Sequence, residues 1–352
     1  MDYLNKMTLA KTTFTVFLAF SLVCLVALLF YTGRSNLPKH FRRYNEDEDS
    51  VVKYLNGFLV SKVRNILIES GLNVSFPNCP VHQPHESAGE ISVDVSPVPA
   101  MKDLERNLED KKISIGGHWK PLSCEARHKI AIILPYRARR EHLKIFLRHM
   151  HPFLQQQNLE YGIYVIEQDF GEEFNRGALL NIGFVLANKD YGYQCYFFHD
   201  IDNLPADARI PYSCPNFPFH MATSVEKFGY NLPYEGYVGG VFAIRKEQFK
   251  TINGFSNVYF GWGAEDDDLW QRITNAQLPI KRYVGGIFRF HVIPHKQNKA
   301  ADDRMKYLQQ AKSRFGNDGL SNLNYSLIKF EKKTLYTWAK VQLDRKVLRN
   351  VE

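Results

Sequence analysis

The sequence predicts an α/β domain, a mainly parallel sheet with flanking helices, preceded by an N-terminal transmembrane helix. Three observations carry this: short apolar runs at 130–134, 163–166 and 195–198, helical periodicity between them, and an uncharged apolar stretch at 12–33. Ile130 to Leu134 suits a strand buried on both faces, ending at Pro135. Leu143, Phe146, Leu147, Met150 and Leu154 then recur with a helical period. Ile163 to Ile166 supplies a second strand, Leu179 to Val185 a second helix, and Cys195 to Phe198 a third strand. This alternation requires right-handed crossovers, hence parallel strands with helices on both faces.

Thr12 to Gly33 holds Phe14, Phe17, Leu18, Phe20, Leu22, Leu25, Leu28, Leu29 and Phe30 without a charge. About 20 apolar residues cross a bilayer core as a helix. No small-residue cleavage site follows Tyr31, so the segment reads as an anchor rather than a signal peptide. The flanking charges do not orient it: Lys6 and Lys11 precede the span, and Arg34, Lys39, Arg42 and Arg43 follow it. Two other features favour a lumenal C-terminal domain. Asn73-Val74-Ser75 and Asn324-Tyr325-Ser326 are glycosylation acceptors, both after the span. Cys24 lies in the anchor, which leaves an even four at 79, 124, 195 and 214. Four cysteines allow three pairings, and pairing requires an oxidising compartment.

The remaining organisation follows composition. Val51, Leu55, Phe58, Leu59, Val63, Ile66 and Leu67 have helical spacing, as a stem helix or one packed on the main domain. Residues 77–100 carry five prolines and read as loop. With 352 residues, 45% hydrophobic and 14% aromatic, the chain can bury a large core. Its formal charge of +8 would suit nucleic acid, an anionic membrane or a diphosphate-bearing substrate. Without zinc-finger spacing or an aromatic RNA-binding signature, no nucleic-acid partner is expected.

Ligands of such sheets bind beyond the carboxyl ends of the strands. Those ends are Pro135-Tyr136-Arg137-Ala138-Arg139, Glu167-Gln168-Asp169 and His199-Asp200-Ile201-Asp202, so arginines and carboxylates meet on one edge. A hard divalent cation takes carboxylate oxygens and shares its other positions with substrate phosphates. Asp200-Ile201-Asp202 fits that role after a buried strand; a solvated acidic turn would explain it elsewhere. In Gly261-Trp262-Gly263-Ala264-Glu265-Asp266-Asp267-Asp268, glycines flank a Trp suited to stack on a sugar ring, and four acids follow. A helix dipole accounts for one or two acids in a first turn. Four repel one another, and a crowded carboxylate has the raised pKa that serves a general base. His291 and His295 offer imidazoles for the cation.

These motifs, with Phe174-Asn175-Arg176, Gly239-Gly240, Ile252-Asn253-Gly254-Phe255 and Asp318-Gly319-Leu320, resemble the β-1,4-galactosyltransferase family over most of residues 79–345. The resemblance implies a nucleotide-sugar transferase (GT-A-like) fold in a type II Golgi membrane protein. Its divisions would be a cytoplasmic tail at 1–11, a signal anchor at 12–33, a stem at 34–78 and a lumenal catalytic domain at 79–352. It implies that Pro135, Tyr136, Arg137, Arg139, Arg176, Asp200, Tyr237, Gly240, Trp262 and Glu265 bind the donor. Trp262 and Asp267 would meet the acceptor, Asp266 would be the base, and Asp202 and His295 would hold Mn²⁺. The disulfides would be Cys79–Cys124 and Cys195–Cys214.

The reaction implied is inverting transfer of galactose from UDP-galactose, in β-1,4 linkage, to a GlcNAc-type acceptor on glycoprotein or glycolipid. In the family a tyrosine at the place of Tyr237 goes with galactose and smaller aliphatic residues with N-acetylgalactosamine, so the resemblance implies galactose. The physical reason is space and hydrogen bonding beside the sugar's second carbon, where an acetamido group would sit. The alternatives are an N-acetylgalactosaminyltransferase on this scaffold and a non-catalytic sugar-binding protein. Self-association would run through the anchor or stem. Three positions depart from the family pattern: Phe260 and Ala264 stand for an outer Trp and a last Gly, and Val292 for a Met metal ligand. The metal would then have one protein ligand fewer, or help from His291.

Overall fold

The computed structural model describes residues 77–80, 89–283, 286–295 and 299–350. The expected anchor, the stem helix and the Asn73 sequon lie outside them, and no described helix is long and apolar enough to cross a membrane. The chain divides into two compact units, of which the second, residues 79–121 and 126–352, holds every element treated below.

Strands β1 (Lys129–Tyr136), β2 (Glu160–Gln168) and β3 (Cys195–His199) alternate with helices at Arg140–Gln155 and Arg176–Asp190, as the apolar runs predict. Then come β4 (Asn203–Pro205), β5 (Phe219–His220), β6 (Ser224–Val225), β7 (Val241–Arg245), β8 (Arg289–Val292), β9 (Ser326–Lys332) and β10 (Thr337–Gln342). The seven-stranded sheet has the order β5-β7-β3-β1-β2-β10-β9. Its centre, β3-β1-β2-β10, is parallel. On its flanks β7 runs antiparallel to β3, β5 to β7 and β9 to β10. The expected mainly parallel sheet is therefore corrected to a mixed one. Helical crossovers build only its centre, and antiparallel strands flank it on both sides.

Two apolar layers sandwich the sheet. One face packs the Arg140–Gln155 helix through Leu143, Phe146, Leu147 and Met150; the other packs the Arg176–Asp190 helix through Leu179, Leu180 and Ile182. Strand β1 runs two residues past its expected end, with Pro135 inside it. Proline is tolerated there because the pairing of β1 with β3 stops at Ile133, so no ladder bond needs the missing N–H. A second sheet, β4-β8-β6, stands at the end of β3 and sets the metal-ligand candidates. Cys195 and Cys214 form a disulfide, and Cys79 and Cys124 are also disulfide-bonded.

Candidate active site

After β3 the chain turns at Ile201-Asp202, and the two aspartates separate in role. Asp200 is fixed by its own N–H donating to the Gly240 carbonyl (2.9 Å) and by Arg176 Nε donating to its carboxylate (2.7 Å). Gly240 has φ +82°, a conformation open to glycine, and a Cβ there would stand 2.8 Å from that of Ala222. Asp202 faces the other way. Its carbonyl accepts from Ile293 N (2.9 Å), extending the β4–β8 pairing and bringing its carboxylate to His295 Nε2 at 2.7 Å. Burial pushes the Asp202 carboxyl up, but the His295 contact together with the charges of Lys227 and Arg139 holds the group below its usual range. Arg139 meets the other nitrogen of the same ring at 3.1 Å.

One carboxylate and one imidazole facing each other fit a manganese-type ion, whose remaining positions a diphosphate would fill. Among the described residues no group of three such side chains converges. His291 does not join the pair: its Nδ1 lies 2.7 Å from Glu226. Val292 pairs with Asn203 and packs against the core. The His142 ring stands edge-on to His295 with centroids 6.3 Å apart.

The acidic run opens the helix Glu265–Asn275, and its members divide by direction. Glu265 reaches toward Arg176 (3.5 Å), and the Tyr234 hydroxyl donates to Asp267 at 2.7 Å. Between them, burial and then the charges of Glu265 and Asp267 push the Asp266 carboxyl up to about 8, against a smaller pull from Arg176. A Cβ at Gly239 would lie 2.7 Å from an Asp266 oxygen and 2.8 Å from the Tyr237 hydroxyl. The Asp266 carboxylate and the Tyr237 hydroxyl thus converge on a backbone with no room for a side chain. Trp262, which precedes Glu265 in the same glycine-rich segment, is 47% exposed. Its carbonyl is held by Ala301 N (3.0 Å), and Gly261 N donates to the Phe174 carbonyl at 2.9 Å.

Asp268 takes no part in the cleft. It is fully buried and bonded by Arg272 (2.5 Å), Tyr259 (2.9 Å) and Arg314 (3.3 Å). Asp318 completes this network, accepting from Asn257 N (2.7 Å), Ser256, Arg272 and Arg314. The motif at 318–320 therefore secures the acidic helix.

Two of the expected donor residues, at the end of β1, have partners of their own. Arg137 donates to the Glu172 carbonyl (2.8 Å) and stacks over Phe174, 5.3 Å from its centroid. Tyr136 packs on the face of β1 opposite Ile133, lining a cavity of about 520 Å³ with Glu167, Tyr336 and Trp338. Asn324, in the second sequon, is exposed. Sequence reasoning missed Tyr234, His220 and Arg282, single polar residues outside any motif.

A parallel-centred sheet with an Asp-x-Asp turn, an arginine cluster and an acidic helix start at one edge defines a nucleotide-sugar transferase of the GT-A-like class. Family models agree: the N-terminal region of glycosyl transferase group 7 matches residues 79–215, and the N-terminal domain of galactosyltransferase matches 219–296. β-1,4-Galactosyltransferase 5 of Danio rerio is 43% identical over 271 residues, 76% of this chain and 70% of the relative. β-1,4-Galactosyltransferase 1 of Mus musculus is 40% identical over 273 residues, 77% and 68% respectively. The chain spans 64% of the length of β-1,4-galactosyltransferase 5 of Mus musculus, at 44% identity. A crystal structure of a Drosophila β-1,4-galactosyltransferase 7 variant with manganese, UDP-Gal and xylobiose superposes with a TM-score of 0.55 and 32% identity, covering 62% of this chain and 94% of that one. The chain belongs to the β-1,4-galactosyltransferase family of glycosyltransferases.

Proposed function

We propose that this protein is a type II Golgi membrane enzyme whose lumenal domain transfers galactose from UDP-galactose, with inversion, to a terminal GlcNAc-type acceptor on glycoprotein or glycolipid. The observation that carries the reading is the convergence of Asp266, Glu265, Arg176, Asp200 and Tyr237 at the start of the acidic helix, just after the exposed Trp262 in the chain. The family relatives named above, and the UDP-Gal and manganese bound by the Drosophila enzyme, support the donor and the metal. Paired cysteines and an exposed Asn324 sequon are what a lumenal domain would carry.

Trp262 stacks on the acceptor sugar and Asp267 accepts from its hydroxyls. Asp266 takes the proton of the attacking hydroxyl as the new bond from that oxygen to the anomeric carbon forms. The bond from that carbon to the diphosphate breaks, and UDP departs with the electron pair. Bound at Asp202 and His295, Mn²⁺ would neutralise the diphosphate charge. Arg139 and Arg176 supply cationic donors on the same side, so the leaving group needs no proton. Pro135, Tyr136, Arg137 and Gly240 border the uridine diphosphate, and Tyr237 crowds the sugar's second carbon.

The test is an acceptor panel with the full-length protein, UDP-galactose and MnCl₂, offering GlcNAc-β, glucosylceramide and xylosides, with UDP-GalNAc as parallel donor. Galactose transfer abolished by EDTA is the expected result. A folded, UDP-binding protein that transfers to no acceptor would leave a sugar-binding protein in its place.

A further inference from the structure

The Tyr237-Val238-Gly239 segment is gripped by two side chains from outside the acidic site. His220, on β5, is fully buried, and its Nε2 donates to the Gly239 carbonyl at 2.9 Å. Arg282 donates through Nε to His220 Nδ1 (3.3 Å) and through a terminal nitrogen to the Tyr237 carbonyl (2.9 Å). These bonds set the tautomer: Nδ1 accepts, so Nε2 carries the hydrogen. Burial, ahead of the opposed effects of the Gly239 bond and the Arg282 charge, brings the imidazole down to about 3, so the ring is neutral at working pH. The same ring stands edge-on to Tyr237, with centroids 5.4 Å apart. Phe228 and Tyr234 close on Tyr237 from other sides at 5.7 Å each. The backbone that carries Arg282 is itself tied to β5, since His220 N donates to the Lys281 carbonyl (3.0 Å) and Lys281 N to that of Pro218 (2.8 Å).

The carbonyls on either side of buried Val238 are thus bonded to a linked pair of side chains, one of which also touches the Tyr237 ring. A shift of that backbone would move the Tyr237 hydroxyl and the Gly239 surface together, and both border Asp266. We propose that Arg282 and His220 are positioning residues for donor choice, setting how far the Tyr237 ring intrudes on the space for the donor sugar's second substituent. This rests on the reading that Tyr237 meets the donor sugar.

The test uses the full-length protein with MnCl₂ and reads two quantities: the ratio of kcat/KM for UDP-galactose over UDP-N-acetylgalactosamine, and the Kd of UDP, which has no sugar. Loss of a hydrogen bond to a charged group corresponds to about tenfold. Arg282→Met and His220→Leu should each lower the donor ratio about tenfold while the Kd of UDP stays within about twofold. His220→Gln, which keeps one donor and one acceptor, should restore most of the ratio. In a Tyr237→Leu background, Arg282→Met should change the ratio by less than about twofold, because the residue it positions is gone. An unchanged ratio in folded Arg282→Met, a fall that persists in the Tyr237→Leu background, or a parallel loss of UDP affinity would each overturn the proposal. If Arg282→Met does not fold, Arg282→Lys carries the same test, since an ammonium cannot span both acceptors in this fork. Absence of galactose transfer by the wild-type protein would instead sink the proposed function. Relative binding of the two nucleotide sugars by calorimetry then still decides the role of Arg282.

Discussion

Asp266 and Asp268 are two residues apart on one helix, and the protein treats their charges in opposite ways. Burial pushes both carboxyls up. At Asp268, Arg272 pulls the group back, and two arginines with a tyrosine hydroxyl satisfy its oxygens. At Asp266 the next largest effects come from Glu265 and Asp267, which push further in the same direction. The inward acid is compensated and serves the fold. The cleft-facing acid is left in repulsion, which keeps its affinity for a proton high enough to accept one from a hydroxyl.

The largest break in that comparison is Asp266→Asn. Turnover should fall by about 10²–10⁴-fold, the usual range for a lost general base, with UDP binding retained. The same change should stabilise the fold at alkaline pH. A carboxyl with a raised folded pKa contributes stability below its unfolded value near 4 and loses it as pH rises through about 8. Thermal melts from pH 5 to 9 should therefore fall more steeply for the wild type than for the variant; parallel curves would remove the raised pKa.

Next in size is the compensated side. Arg272→Met leaves Asp268 and Asp318 short of a buried cation and should destabilise by about 3–5 kcal/mol, read from urea melts. A loss below about 1 kcal/mol would mean Arg314 alone suffices. The pH profile is a finer instrument. With Asp266 as the proposed base, ionised in order to act, kcat/KM should fall about tenfold per pH unit below a midpoint near 8. Asp267→Asn removes one repelling neighbour and should move that midpoint down, whatever it does to acceptor affinity. The smallest effect is expected at Ala264, at φ +73° just before the helix. Replacing it by glycine relieves about 1–2 kcal/mol of backbone strain but gives up a buried methyl worth about 0.8 kcal/mol. A net gain below about 1 kcal/mol is expected in melting experiments; a clear loss would show that packing against Val258 and Tyr259 dominates.

The contrast also marks what could be read in advance. Strands β1 to β3 and the helices between them were legible because burial on both faces and a helical stripe each leave a periodic apolar record. The two- and three-residue strands β4, β5 and β6 are too short to leave one. Asp200, Asp202 and the acids at 265–267 stood out by their clustering. Asp268 could not be separated from them, since its partners lie at 272, 314 and 318, and long-range pairing leaves no local pattern. His220 and Arg282 were invisible for the same reason. The mixed character of the sheet was missed because β7 reaches β3 only after the long segment 200–240, whose short strands leave no periodic record, and because β9 and β10 were not read from the sequence.

The place of β10 has a consequence for biosynthesis. Strand β2 lies near the middle of the sheet, yet one of its two neighbours is the last strand of the chain, with Thr337 opposite Tyr164. The acidic helix likewise awaits Arg314 and Asp318. As the polypeptide emerges from its N-terminus, an open edge of β2 must persist until residues 337–341 have appeared. A message truncated anywhere before residue 337 would yield a chain with an unpaired inner strand, recognisable to chaperones as unfinished. In this architecture, the sheet beneath the acidic helix is closed only once β10 has been made.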